Sequence, residues 1–203
     1  LFGAAGTVHV PAFWAYLALM VILSLLVLIL LYRRSPDLIA ERMRPGEGEQ
    51  DRISILAMKL LLPSSFIIAG LDVGRYHFSD VVAMPVQVVG FAAVVIGFAI
   101  VTWAMVENRF FSSAVRIQAD RGQRVISAGP YAFVRHPGYT GGLLFLLGSG
   151  FALGSWVSLA PMFILVVLIV RRTLLEDKML QRELEGYSEY SQRVRFRLIP
   201  GVW

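Results

Sequence analysis

The chain has 203 residues, of which 57% are hydrophobic and only 16% charged, against roughly 45–50% and about 25% in an ordinary soluble domain. It contains no cysteine, which excludes disulfides, thiolate metal sites and a cysteine nucleophile. The net charge of +5 raises the question of a nucleic-acid partner, but the basic residues are placed as markers of membrane sidedness, so none is expected.

The sequence begins at Leu1 rather than Met, so the true start is expected upstream. Three runs carry no charge: Val10 to Tyr32, Val81 to Val106 and Tyr139 to Val170. Each is long enough to cross the hydrocarbon core, for which a helix needs about 20 apolar residues. A first span is expected over Pro11 to Tyr32. Its apolar part, Phe13 to Leu31, is too long for a signal-peptide core and no small-residue cleavage site follows, so it reads as retained.

The polar segment Arg33 to Arg52 opens on Ser35-Pro36-Asp37, a helix start with serine at the cap, proline at the first position and an acid in the first turn. Leu38, Ile39 and Met43 give a short surface helix near 36–44 one apolar side, before Pro45-Gly46-Glu47-Gly48 breaks it. A second span, Ile53 to Leu71, includes Lys59 and Pro63. Either it lines a shielded cavity or Lys59 snorkels to the interface. A loop, Asp72 to Asp80, leads into a third span ending near Val106.

The block Tyr139 to Val170 is too long for one span, and Gly154-Ser155-Trp156 near its middle predicts the turn of a helical hairpin. The second arm extends into Arg171 to Glu185. The expected fold is an all-α integral membrane protein of about five transmembrane helices in a single domain, 1–203. Three spans occupy 1–106, and 107–203 forms a motif-rich half. Lys and Arg concentrate in Arg33–Arg52, Glu107–Tyr139 and Arg171–Trp203. By the positive-inside rule the N-terminus is then expected outside and the C-terminus in the cytoplasm.

The densest motif is Gly129-Pro130-Tyr131-Ala132-Phe133-Val134-Arg135-His136-Pro137-Gly138-Tyr139-Thr140-Gly141. Pro137 biases His136 away from helix, so Arg135 and His136 project from a fixed turn at a helix mouth. Gly138, Gly141 and Gly142 permit a close approach to the backbone. A rigid polar rim above small residues suits a cofactor, although Gly141, Gly142, Gly148, Gly150 and Ala152 equally suit close helix packing. A second element follows in Arg171, Arg172, Glu176, Asp177, Arg182 and Glu183. The acidic pair can accept hydrogen bonds from ribose hydroxyls or an amino group; on a solvated face, Arg172 and Glu176 would form only a weak pair.

Together these elements resemble the isoprenylcysteine carboxyl methyltransferase family and its relatives among membrane phospholipid N-methyltransferases, whose pattern is Arg-His-Pro-x-Tyr-x-Gly followed by Glu-Glu. Arg135, His136, Pro137, Tyr139 and Gly141 match the first part, and Glu176-Asp177 is a conservative departure from the second. Gly186-Tyr187-Ser188-Glu189-Tyr190, Arg193 and Pro200-Gly201 also look like the family's C-terminal segment, so the resemblance covers Glu107 to Trp203.

The resemblance implies S-adenosylmethionine as cofactor and no metal. It implies cofactor contacts at Gly129, Tyr131, His136, Pro137, Tyr139, Gly141, Glu176 and Asp177, with Arg135 and Glu176 as the catalytic pair. The acceptor would be lipophilic, such as the carboxylate of an isoprenylcysteine-like substrate, entering past Trp103, Phe110 and Phe111. Arg109 would orient its head group, or serve only as a basic anchor. Membrane lipids are the surroundings, a bacterial inner membrane the expected location, and the oligomeric state is open. A membrane reductase using NADPH carries a similar His-Pro-x-Tyr-x-Gly stretch, but Gly138 and Gly142 stand where it typically has Asn and often Glu. A non-enzymatic membrane protein would leave both motifs unexplained.

Overall fold

In the computed structural model, which describes residues 1–43, 52–80, 82–112 and 115–203, the long apolar runs are helices, and no strand is present among the described residues. The elements are α1 (Phe2–Ala5), α2 (Pro11–Arg34), α3 (Pro36–Met43), α4 (Arg52–Leu71), α5 (Met84–Glu107), α6 (Pro137–Ala152), α7 (Leu159–Glu183) and α8 (Tyr187–Arg193). Proline occupies the start of α2, α5 and α6, where its fixed φ favours the helix and its missing N–H costs nothing. The break expected at Pro45 to Gly48 lies outside the described residues.

Three helices are long and apolar enough to cross a membrane: Pro11–Arg34, Ile53–Tyr76 and Met84–Glu107. Along α2, Val21, Ile22, Leu25, Leu26, Leu28 and Ile29 are each half or more exposed. A water-facing helix would not present such a surface. The expected hairpin is present as α6 and α7, joined through Gly154, whose φ of 75° makes the turn. The arms are shorter in apolar length than the other spans. With 16 residues, α6 rises about 24 Å at 1.5 Å per residue, and the uncharged part of α7 stops at Val170.

The expected loop Asp72 to Asp80 begins instead as a wide π-turn, Asp72–Tyr76, that prolongs α4. Pro63 sits within an unbroken α4, and Lys59 is exposed. The helix α1, with no sequence signal of its own, packs on the end of α4. A Cβ on Gly70 would lie 2.5 Å from the Leu1 carbonyl oxygen.

The five long helices run alternately between two ends of the bundle. At one end Tyr16 and Ser149 hydroxyls meet at 2.7 Å. There the buried Asp72 accepts from the hydroxyls of Ser79 and Ser155, each at 2.5 Å. At the other end Leu31, Leu38 and Met105 form an apolar cluster that seats α3 against α2 and α5. Among the described residues, every Lys and Arg except Lys59 and Arg75 lies at or beyond that second end.

The tightest packing joins α5 to α6, antiparallel, along a glycine seam. A Cβ on Gly97 would lie 2.6 Å from the Gly141 oxygen, and one on Gly148 would lie 2.9 Å from the Gly90 oxygen. Small residues let two backbones approach in this way when apolar burial against lipid gives no drive of its own.

Candidate active site

The basic end of the bundle gathers the 129–141 loop, the extension of α7 beyond Val170, α8 and the C-terminal segment. Gly129, at φ 57°, opens a single 3₁₀ turn, Gly129–Ala132. That turn buries Tyr131, whose hydroxyl accepts from Asn108 Nδ2 at 3.1 Å and whose carbonyl accepts from the Tyr190 hydroxyl at 2.8 Å. Burial pushes the Tyr131 phenol above its ordinary range, opposed by the Asn108 bond and reinforced by Glu176 and Glu107 nearby. His136 then caps α6 in a non-helical conformation (φ −127°, ψ 61°), as the following proline dictates.

Asp177 is the hub. It is 2% exposed, and its Oδ1 accepts from Arg135 Nε at 2.8 Å and the Tyr187 hydroxyl at 2.9 Å. Its Oδ2 accepts from Arg135 Nη2 at 3.0 Å, Arg197 Nε at 2.9 Å and Gln181 Nε2 at 3.1 Å. His136 Nε2 stands 3.3 Å from Oδ1. Burial alone would raise the Asp177 pKa, but the hydrogen bonds and charges of His136 and Arg135 outweigh it and hold the carboxyl well below the usual range. The group lies on the α7 extension, past the apolar stretch, and stays ionised.

Arg135 is equally engaged. Its third nitrogen, Nη1, donates to the carbonyls of Val194 at 2.8 Å and Arg195 at 2.9 Å. The Arg135–Asp177 pair therefore fastens the α6 mouth to α7 and to the C-terminal segment. A bidentate guanidinium–carboxylate bond of this kind fixes orientation as well as distance.

One residue back along α7, Glu176 is only half-buried, and its Oε2 accepts from the Tyr139 hydroxyl at 2.5 Å. Arg172 Nε donates to the same Tyr139 oxygen at 2.8 Å. Across the loop, the backbone of Gly129 faces the end of α5. A Cβ there would fall 2.9 Å from Glu107 Oε2 and 3.0 Å from Trp103 Nε1, so only glycine lets this carboxylate and indole pack against the loop backbone.

Of the residues expected at the site, Arg135, His136, Pro137, Tyr139, Glu176 and Asp177 gather around this hub, with Tyr131 and Gly129 beside it. Gly141 lies one turn deeper, in the α5–α6 seam against Gly97 and Val101. Trp103, half exposed, and Phe111, against which a Cβ on Gly138 would press at 2.5 Å, border the loop. Arg109 lies elsewhere on the rim, its guanidinium 5.5 Å from the centre of the Phe110 ring.

Sequence reasoning missed Glu107, Gln181, Tyr187 and Arg197 as members of the cluster. Tyr187 lay in the Gly186 to Tyr190 stretch that the resemblance had marked; Glu107, Gln181 and Arg197 carried no such signal.

Residues 86–186 match the model of a family described as phospholipid methyltransferase. Two relatives, from Oryza sativa subsp. indica and Oryza sativa subsp. japonica, are each described as a probable protein-S-isoprenylcysteine O-methyltransferase. Each is 26% identical over 153 residues, covering 70% of this chain and 80% of the relative.

Proposed function

From the match of residues 86–186 to the model of a family described as phospholipid methyltransferase, we propose that this chain moves a methyl group from S-adenosylmethionine to a lipophilic acceptor at the basic end of its helix bundle. The observation that carries the reading is the Glu176–Tyr139 bond at the mouth of α6, set beside the Arg135–Asp177 hub. Both lie inside the matched segment.

The residues fit the cofactor. Glu176 offers a partly exposed carboxylate for an amino group or ribose hydroxyls. Gly129 lets Glu107 Oε2 and Trp103 Nε1 close directly against the loop backbone, because a Cβ there would meet them at 2.9 and 3.0 Å. When bound, S-adenosylmethionine supplies an electrophilic methyl on a sulfonium.

What the chain must add is binding, alignment and exclusion of water. Glu176, Tyr139, Tyr131, His136 and Gly129 would hold the cofactor, with Pro137 and Gly141 shaping the backbone beneath it. Arg135 and Asp177 have their hydrogen-bonding groups engaged by one another and by the C-terminal segment. Their part is to fix Glu176 and His136 in place. Alignment of this kind is worth about 7–11 kcal/mol in favourable cases, and no covalent nucleophile or metal is required of the protein.

The acceptor we propose is the carboxylate of an isoprenylcysteine-like molecule, arriving from the membrane past Trp103 and Phe111 with Arg109 on the rim. The layout would be five crossings with the basic end in the cytoplasm, in keeping with the alternating helices and the position of Lys and Arg. Titration of the detergent-purified protein with S-adenosylmethionine tests the cofactor. Methyl transfer to an S-farnesylcysteine derivative, compared with phosphatidylethanolamine, tests the acceptor. Binding in the micromolar range, lost in Glu176→Ala, is expected; no binding by the intact protein would overturn the assignment.

A further inference from the structure

The C-terminal segment 194–203 closes over the loop that carries Arg135 and His136, and it does so through backbone as well as side chains. The amide of Arg135 donates to the Phe196 carbonyl and that of His136 to the Arg197 carbonyl, both at 3.0 Å. Thr140 Oγ1 donates to the Leu198 carbonyl at 2.7 Å, and Leu198 is 2% exposed. The segment is folded on itself by the Trp203 carbonyl, which accepts from the amides of Leu198 and Ile199 at 2.9 and 3.1 Å.

Arg197 joins this strap to α7. Its Nε donates to Asp177 Oδ2 at 2.9 Å, while its guanidinium lies 5.3 Å from the centre of the Trp203 ring. Asp177 is thus gripped from two sides, by Arg135 from the α6 mouth and by Arg197 from the strap. The two grips differ in burial: the Arg135 side chain is 4% exposed and that of Arg197 is 29%.

We propose that Arg197 is a positioning residue for the cofactor site, acting through Asp177: it registers the strap against α7 and so sets the place of His136 and Tyr139 relative to Glu176. This rests on the cofactor assignment above for its functional arm. Without Arg197, Asp177 keeps Arg135, Tyr187 and Gln181 as donors, so the hub survives. The strap, however, loses its charge-assisted bond to α7, and the Phe196 and Arg197 carbonyls that accept from the Arg135 and His136 amides are held less firmly, by Arg135 Nη1 and Thr140 alone.

The test compares intact protein with Arg197→Met and Arg197→Lys, in one detergent, by backbone hydrogen exchange and by S-adenosylmethionine titration and methyl-transfer kinetics. In Arg197→Met, exchange at the amides of Arg135 and His136 should accelerate while the α5–α6 seam keeps its protection. The cofactor Kd and KM should rise about tenfold with kcat at saturation within about twofold, and Arg197→Lys should recover most of the loss. Unchanged exchange at 135 and 136 overturns the proposal, as does faster exchange with an unchanged Kd. A uniform loss of protection across the bundle, unrescued by lysine, makes Arg197 a general stability residue and also overturns it. If intact protein binds no S-adenosylmethionine, the cofactor assignment fails, and the exchange measurement still decides whether Arg197 registers the strap.

Discussion

The hydroxyl of Tyr139 stands between a carboxylate and a guanidinium, donating to Glu176 Oε2 at 2.5 Å and accepting from Arg172 Nε at 2.8 Å. One phenol at the start of α6 therefore orients two side chains a turn apart on α7. Replacing Tyr139 with Phe removes two hydrogen bonds to charged groups, each worth about 1.5–3 kcal/mol. The affinity for S-adenosylmethionine should fall about tenfold to a hundredfold, read by calorimetric titration, with the helix content by circular dichroism unchanged.

The hub should behave differently. Asp177→Ala leaves the guanidinium of the buried Arg135 without its counter-charge and brings it toward that of Arg197. Removing one partner of a buried pair costs about 3–5 kcal/mol. The variant should melt well below the intact protein in detergent and lose its monodisperse elution. A variant that eluted and melted normally would show that the hub is not what secures this end of the bundle.

Stability should also depend on pH through the same group. Asp177 is held below the ordinary carboxyl range in the folded chain, so between the folded and unfolded pKa values the unfolded chain binds more protons. The contribution is fully present above the unfolded value, near 3.9, and is lost as pH falls below it toward the folded value. Thermal melts from pH 7 down to pH 3 should show the gap between intact protein and Asp177→Asn narrowing only below about pH 4. A gap that closed at higher pH would point to another group.

Glycines of similar appearance in sequence should separate cleanly. Gly97→Ala would place a Cβ 2.6 Å from the Gly141 oxygen and 2.8 Å from the Phe145 nitrogen. Overpacking of this kind costs about 1–3 kcal/mol. At Gly142 nothing stands within 4 Å of the added atom, and Gly142→Ala should be neutral or stabilising, since alanine favours helix by about 1 kcal/mol. Melting temperatures of the two variants, measured side by side, decide the matter.

Apolar run length and proline placement made α2, α5 and the α6–α7 hairpin legible, because those signals are local. The gathering of His136, Tyr139, Glu176 and Asp177 was legible only through resemblance to a family pattern, since no periodicity links the α6 mouth to α7. Arg197 was beyond reach for a physical reason. Its partner is 20 residues away on another element, and an arginine in a basic tail carries no mark of the carboxylate it meets. The π-turn at Asp72 was hidden likewise, because the serines that hold the carboxylate, Ser79 and Ser155, belong to separate connections.

The seam between α5 and α6 has a consequence for distance rather than for strength. Two helices that touch backbone to backbone at Gly97 and Gly141 cannot slide past each other by a fraction of a turn without collision. The far ends of those helices are Trp103 and Glu107 on one side and His136 and Tyr139 on the other. The glycines thus act as a ruler set inside the bundle, and the gap between the aromatic rim and the 129–141 loop is its reading.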